Sequence, residues 1–423
     1  MTNQQLKNQN IKKTMTATRE RRAGMVCRVF EVKVVAGKFS VEKRMHVNRL
    51  FLEAKWLRNA TISSEDAFRA DRNPSSVQIK CGNHFEDREL LVLGSQMKQD
   101  IVDGVKSNIK SLSTNKAKGS KVGRLKCKPY CNLVPLRQYG TTFRIDFDKN
   151  LIFIQKMKKP IKVRGLSQIP KNAEIANAKL VRKPSGLYFH ITTFCPIIDI
   201  PDTGNVVGID FGIGHNLTLS TGETIDIYIP ETKSVKLTSK KLNKSYIKNG
   251  RKKTKNHKKR QSKLQAAYEK QSNKKQDMVN KIVADILANN DFIAIQDEMI
   301  ANWHKGLFGK QVQHSAMGSI KAKLKTSSKT HVVDRSFPST QKCPICNENT
   351  KHPLDKRYYQ CNHCGYTHNS RDVKSAAMIL MEALNQVCAE RTAQSSVEAI
   401  SSTVQDLFLV SKVAPAKQDA QVL

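Results

Sequence analysis

Acid is what this chain of 423 residues is short of: 36 Asp+Glu stand against 73 Lys+Arg, leaving a formal charge of +37. Such an excess makes a free protein repel itself, so a polyanionic counterpart is expected, either nucleic acid or a membrane surface. Long apolar runs are missing as well. No stretch approaches the roughly 18 residues of a spanning helix, and no amphipathic basic terminus with large aromatics is present, so no membrane partner is expected. The N-terminus also lacks the apolar core of a signal peptide, which places the chain in the cytoplasm, at a prokaryotic nucleoid. In that compartment the ten cysteines read as metal ligands or free thiols before disulfides.

What is present divides in two. The first two dozen residues are polar and basic and read as a flexible lead-in. Val26 to Val35 alternates as a strand, and Val47, Leu50, Phe51, Ala54 and Leu57 then fall on one helical face. A second helix is expected from Leu93 to Leu112, followed by a Ser/Gly/Lys-rich stretch to Tyr130. Short strands follow at Phe143–Phe147, Leu151–Ile154 and Leu187–Phe194, separated by turn residues. Pro201-Asp202-Thr203-Gly204 marks a boundary. Past it come a buried strand from Val206 to Asp210, a hairpin from Leu217 to Ile225, an amphipathic helix through Met278, Ile282, Val283, Ile286 and Leu287, and a strand Phe292–Ile295. From Leu384 onward an Ala/Ser/Gln-rich tail is expected to be partly disordered.

Two constellations carry chemistry. One strand runs Gly208-Ile209-Asp210-Phe211-Gly212, ending on an acid between glycines. A second runs into Asp297 and Glu298, and Asp372 opens a helix. Alone, each acid is ordinarily a surface or capping residue, Asp372 being favoured by the helix dipole. In this order, on strand, strand and helix, they match an RNase H-like nuclease that holds two Mg²⁺ ions. In an extended strand Glu298 shares the face of Gln296 and Asp297 points away, so Glu298 is the expected ligand. The other constellation is Cys343-x2-Cys346 and Cys361-x2-Cys364, a tetrahedral signature for one structural Zn²⁺. Lys342, Lys351, Lys356 and Arg357 flank it as candidate nucleic-acid contacts; His363 and His368 read as bystanders, and Cys127 and Cys131 lack partners for a second site.

Between Thr232 and Tyr268 no acid occurs at all. Arg251, Lys252, Lys253, Lys258, Lys259 and Arg260 lie in that stretch and, with Arg371, are the candidate phosphate contacts. Trp303 can be read as a base-stacking residue or as core.

From Val206 to about Leu384 the chain resembles the TnpB family of transposon-encoded RNA-guided nucleases and their relatives, the compact type V CRISPR effectors. The likeness rests on Gly208–Gly212, Ile295-Gln296-Asp297-Glu298, Ser339–Cys346, Cys361–Gly365 and Arg371-Asp372. It implies an α+β multidomain protein: an N-terminal β-barrel with a helical insertion, then a RuvC-type, RNase H-like nuclease with an inserted zinc ribbon. The implied boundaries are a lead-in 1–24, a wedge-like barrel 25–40 and 113–200, a helical recognition insertion 41–112, a nuclease 201–336 and 366–387, a ribbon 337–365 and a tail 388–423. The implied activity is RNA-guided cleavage of double-stranded DNA beside a short duplex motif, by a monomer or homodimer on one guide RNA. A repressor without cleavage and a guide-independent nuclease are the alternatives. Two departures stand out. Many members carry an acid where this chain has Gln296, and asparagines where it has Lys374 and Met378.

Overall fold

The structure is a computed structural model that describes residues 3–196, 202–252, 254–353 and 356–392. It is an α+β chain of two compact units, Met1–Asp199 and Ile200–Leu423. Among the described residues no helix is long and apolar enough to cross a membrane.

The first unit opens with α1 (Asn3–Ala23) and β1 (Met25–Val34), followed by α2 (Val41–Ser63), β2 (Ser76–Cys81), β3 (His84–Glu89) and α3 (Ser95–Ala117). It closes with β4 (Leu133–Leu136), β5 (Phe143–Asp146), β6 (Leu151–Ile154), β7 (Ile161–Arg164), β8 (Glu174–Lys183) and β9 (Gly186–Pro196). Seven strands form one antiparallel sheet in the order β4-β8-β9-β1-β7-β6-β5. Its outermost strands, β4 and β5, are consecutive in sequence. A flat sheet would hold them about 29 Å apart, more than the roughly 25 Å that residues 137–142 span when fully extended. That connection is in fact turned, with Thr142 N–H donating to the Gln138 carbonyl at 2.9 Å. The sheet must therefore curl.

The face of α2 foreseen from its periodicity is the one that packs: Val47, Leu50, Phe51, Ala54 and Leu57 are buried against Val32, Leu136, Phe189 and Ile191 of the sheet. Within that core the buried carboxylate of Glu53 pairs with Arg49 at 2.8 Å. It also accepts the backbone N–H groups of Leu91, Val92 and Leu93, fixing the entry to α3. Two expectations need correction here. Residues 3–23 are a continuous helix and not a flexible lead-in; their Gln, Lys, Arg and Ala are good helix formers, and Arg21 and Arg22 both grip Glu174. The expected helical insertion also contains the β2–β3 hairpin, whose mixed polar residues hide the two-residue period.

In the second unit β10 (Val206–Phe211), β11 (Leu217–Leu219) and β12 (Thr224–Ile225) form an antiparallel meander. Next come α4 (Lys233–Lys248), α5 (Lys255–Asn289), β13 (Phe292–Gln296), α6 (Ile300–Trp303), α7 (Gly309–Ser315), α8 (Met317–Leu324) and β14 (Thr330–Val333). β13 runs parallel to β10 and β14 parallel to β13, giving the sheet order β12-β11-β10-β13-β14. β15 (Tyr359–Gln360) and β16 (Thr367–His368) make a small hairpin, and α9 (Arg371–Thr392) ends the described chain.

Helix α9 lies directly on β10. Gly208 is the reason it can come so near, since a Cβ there would sit 2.0 Å from the Ala376 carbonyl oxygen. On α5 it is Val279, Val283 and Ile286 that reach the core, with Ile282 and Leu287 packed beside them, whereas Met278 stays exposed. The N-terminal part of α5 pairs with α4 through Val235, Leu242 and Leu264. Of the expected tail, residues 393–423 lie outside those described.

Candidate metal centres and nucleic-acid face

Asp210 sits at the end of β10, in the middle of the sheet, and is only 8% exposed. Burial holds its carboxyl well above the ordinary range, and the charges of Glu298 and Asp372 push it further; the Ser375 hydroxyl and Arg371 act in the opposite sense. The three acids therefore share one electrostatic neighbourhood. Glu298 is pushed up to about 7 by burial, against a partial pull from Lys321. Its Oε2 is enclosed and has no hydrogen-bond partner. Asp372 occupies the first turn of α9 and faces Arg357 at 3.2 Å and Arg371 at 3.9 Å.

The end of β13 distinguishes three neighbouring side chains. Gln296 is buried, and its amide donates to the carbonyls of Phe337 at 2.7 Å and Asp334 at 3.1 Å, while its Oε1 accepts from Ser339. Asp297 is held to about 2 by hydrogen bonds from Lys325 and Lys321, with Arg335 at 3.7 Å. Of the three, Glu298 is the one whose charge acts on Asp210. The route differs from the one foreseen by alternation along a strand: β13 ends at Gln296, and Glu298 N–H donates to the Gln296 carbonyl at 2.9 Å in a tight turn.

The four cysteines of the ribbon place their sulfur atoms all within 4.8 Å of one another. The Cys343 N–H accompanies a short bridge between Lys342 and Asn349, and the Ile345 and His363 N–H groups point at the sulfurs of Cys343 and Cys361 at 3.5 and 3.4 Å. Four converging thiols with oriented N–H groups fit one Zn²⁺ and leave no position for a substrate. Cys127 does not join such a group; it is exposed beside Ser63. Among the described residues His363 and His368 do not belong to the cluster either.

Charge on the second unit concentrates on the α4–α5 hairpin. Lys258, Lys259 and Arg260 are exposed in the first turns of α5, and Arg251 and Lys252 are exposed in the turn before it. Lys253 lies outside the described residues. Arg371 is 9% exposed; it donates to the Pro353 carbonyl at 3.1 Å, and its Nε is enclosed without a hydrogen-bond partner. Trp303 is partly buried and packs against the sheet core, in line with the core reading. Sequence reasoning did not single out Ser375 or Lys321. Ser375 lies one turn after Asp372, a spacing that puts it on the same helix face; for Lys321 there was no local signal.

Residues 196–305 match the OrfB_IS605 family model, described as "Probable transposase", and residues 317–379 match the "Cas12f1-like, TNB domain" model. The chain is TnpB-like. It is 28% identical over 242 residues to a protein of Streptomyces pristinaespiralis described as "Putative RNA-guided DNA endonuclease", over 55% of this chain and 58% of that relative. The chain thus spans little more than half the length of the curated relative it matches. Among solved structures, a "Cryo-EM structure of the Cas12f1-sgRNA-target DNA complex" aligns over 84% of this chain and 99% of that one, at a TM-score of 0.46 and 12% identity.

Proposed function

We propose that this TnpB-like chain is an RNA-guided DNA endonuclease whose Asp210, Glu298 and Asp372 hold two Mg²⁺ ions. One observation carries the reading. The buried Asp210 and the partly buried Glu298 act on each other's charge, and Glu298 has an enclosed oxygen without a partner, an arrangement that a bound cation would satisfy. The donors are all hard oxygens, which suits magnesium, as four thiols suit zinc. Bound there, the ions would activate water and stabilise the leaving 3′ oxygen. The chain's own part is to hold those carboxylates. The end of β10 presents Asp210, the turn after Gln296 presents Glu298, and the first turn of α9 presents Asp372.

In this reading the second unit is a RuvC-type, RNase H-like nuclease with its ribbon inserted before the last acid. The curled sheet of the first unit is a barrel-like wedge that reads a short duplex motif. The α4–α5 hairpin grips guide or target phosphates without reading their sequence, as base pairing supplies specificity. The protein works in the cytoplasm at the nucleoid, as a monomer or homodimer on one guide RNA.

The test is to co-express the chain with RNA from its own locus, sequence the bound RNA, and challenge a matched plasmid with Mg²⁺, with Asp210→Ala in parallel. Guide-dependent cutting lost in the variant is the expected result. Cutting that ignores the RNA would remove the guided part. A second reading, a guided repressor without cleavage, draws on Gln296, an uncharged residue where the resemblance implies an acid. RNA binding without cutting by the native chain would establish it.

A further inference from the structure

Lys374, two residues after Asp372, is completely buried. Its three ammonium protons go to three carbonyls of one short segment: Ser339 at 3.0 Å, Thr340 at 3.0 Å and Lys342 at 2.8 Å. The ammonium also lies over the face of Tyr359, 4.0 Å from the ring centre. Tyr359 is itself buried and donates its hydroxyl to the Gln341 carbonyl at 3.1 Å, so the ring and the segment brace one another. Lys342 directly precedes Cys343, and Tyr359 lies two residues before Cys361.

Other bonds join the same two elements. The Arg371 N–H, one of the unpaired donors at the start of α9, is capped by the Arg357 carbonyl at 2.6 Å. Arg371 also donates to the Pro353 carbonyl, and the Arg357 guanidinium reaches Asp372 at 3.2 Å. The start of α9 therefore ends against the ribbon, not in water. A buried ammonium satisfied by carbonyls is costly to strand, so the 339–342 segment cannot shift without disturbing the helix.

We propose that Lys374 is a positioning residue that ties the entry to the first cysteine pair to α9, so that metal held by the four cysteines sets the order of the turn bearing Asp372 and Ser375. The inference rests on the zinc reading of the ribbon and is independent of whether the chain cuts DNA.

The experiment uses the full chain. Zinc is counted by release to a colorimetric chelator, and amide hydrogen exchange is followed at residues 371–378 and in β10 before and after chelation. Removing zinc should raise exchange at 371–378 by about tenfold or more while β10 stays protected. Lys374→Met should show that raised exchange with zinc still bound, and Lys374→Arg should recover part of the protection. If one zinc per chain is found and its removal leaves 371–378 unchanged, the coupling is wrong and the ribbon reading survives. If the chain as purified holds no zinc, both fall. The native chain answers the question even where Lys374→Met fails to fold.

Discussion

The two ligand clusters of the second unit are built on opposite plans. The four thiols come from two short turns and converge within 4.8 Å, each turn bringing its pair together by local geometry. The three carboxylates come from β10, the end of β13 and α9, and only the sheet order that sets β13 beside β10 and α9 upon it makes them neighbours. The thiol cluster is complete in itself. The carboxylate cluster holds a buried Asp210 whose carboxyl is raised by its neighbours and a Glu298 oxygen without a partner, which the proposed metal ions would account for.

The sharpest way to break that contrast is to remove a ligand from each. Asp210→Asn should lower cleavage by about a thousandfold or more without loosening the fold, because it relieves buried repulsion. Its unfolding midpoint without metal should equal or exceed that of the native chain, measured by hydrogen exchange in β10. Cys361→Ser should do the reverse: zinc content falls to zero and residues 339–368 become protease-sensitive, since a structural zinc supplies about 10 kcal/mol of folding energy. If Asp210→Asn unfolds the unit, the functional reading of the carboxylates is wrong.

Next in size is the pH dependence of the metal-free protein. Glu298 titrates at about 7 in the fold against 4.5 when unperturbed, so the folded state binds more protons between those values. The stability that Glu298 contributes is thus full below about 4.5 and is lost as pH rises through 7, by roughly 3 kcal/mol. Asp210, raised chiefly by burial, adds a loss of the same sign. Glu298→Gln should therefore make the slope shallower, and Mg²⁺ should flatten it in the native chain. An unchanged slope in Glu298→Gln would assign it to Asp210 and other groups.

The neighbouring acid provides the contrast at single-residue scale. Asp297 is partly exposed and engaged by Lys321 and Lys325, so Asp297→Asn should cost about 1 kcal/mol or less and leave cleavage within about fivefold. Glu298→Gln, one position along, should behave like Asp210→Asn. Equal losses from the two would place the ligand at Asp297.

The difference in plan also explains what was legible. The thiols could be read because their spacing is itself the geometry. Asp210 and Asp372 could be read because a strand end between glycines and a helix start leave local marks. Glu298 was singled out by alternation along a strand, a reason that does not hold: the strand stops at Gln296, and a turn carries the chain past it. Lys321 left no mark, Lys374 showed only as a departure from the family pattern and Ser375 only as a residue one turn after Asp372, because their partners lie far away in sequence and appear only when α8, the ribbon and α9 are packed together. Arg371 shows the converse. A basic residue beside an acid at a helix start reads as an exposed phosphate contact, but Arg371 is buried and one of its donors goes to the Pro353 carbonyl. In the first unit the α2 face was plain from its period, whereas the β2–β3 hairpin, with Glu86, Asp87, Arg88 and Glu89 in one strand, has no apolar alternation to find.

The smallest effect separates the basic hairpin from both centres. Lys258, Lys259 and Arg260 project from the start of α5 and touch neither ligand cluster. Replacing all three with Ala should leave zinc content and Asp210-dependent chemistry intact at low salt. RNA affinity should fall, and the slope of log affinity against log salt should flatten by about 0.7–0.9 for each phosphate no longer neutralised, or about 2–3 if each of the three side chains neutralises one. An unchanged slope across the salt range would mean that these side chains are merely a solvated face. The excess charge of the chain would then have to be matched elsewhere, with the Lys residues along α4 the next to test.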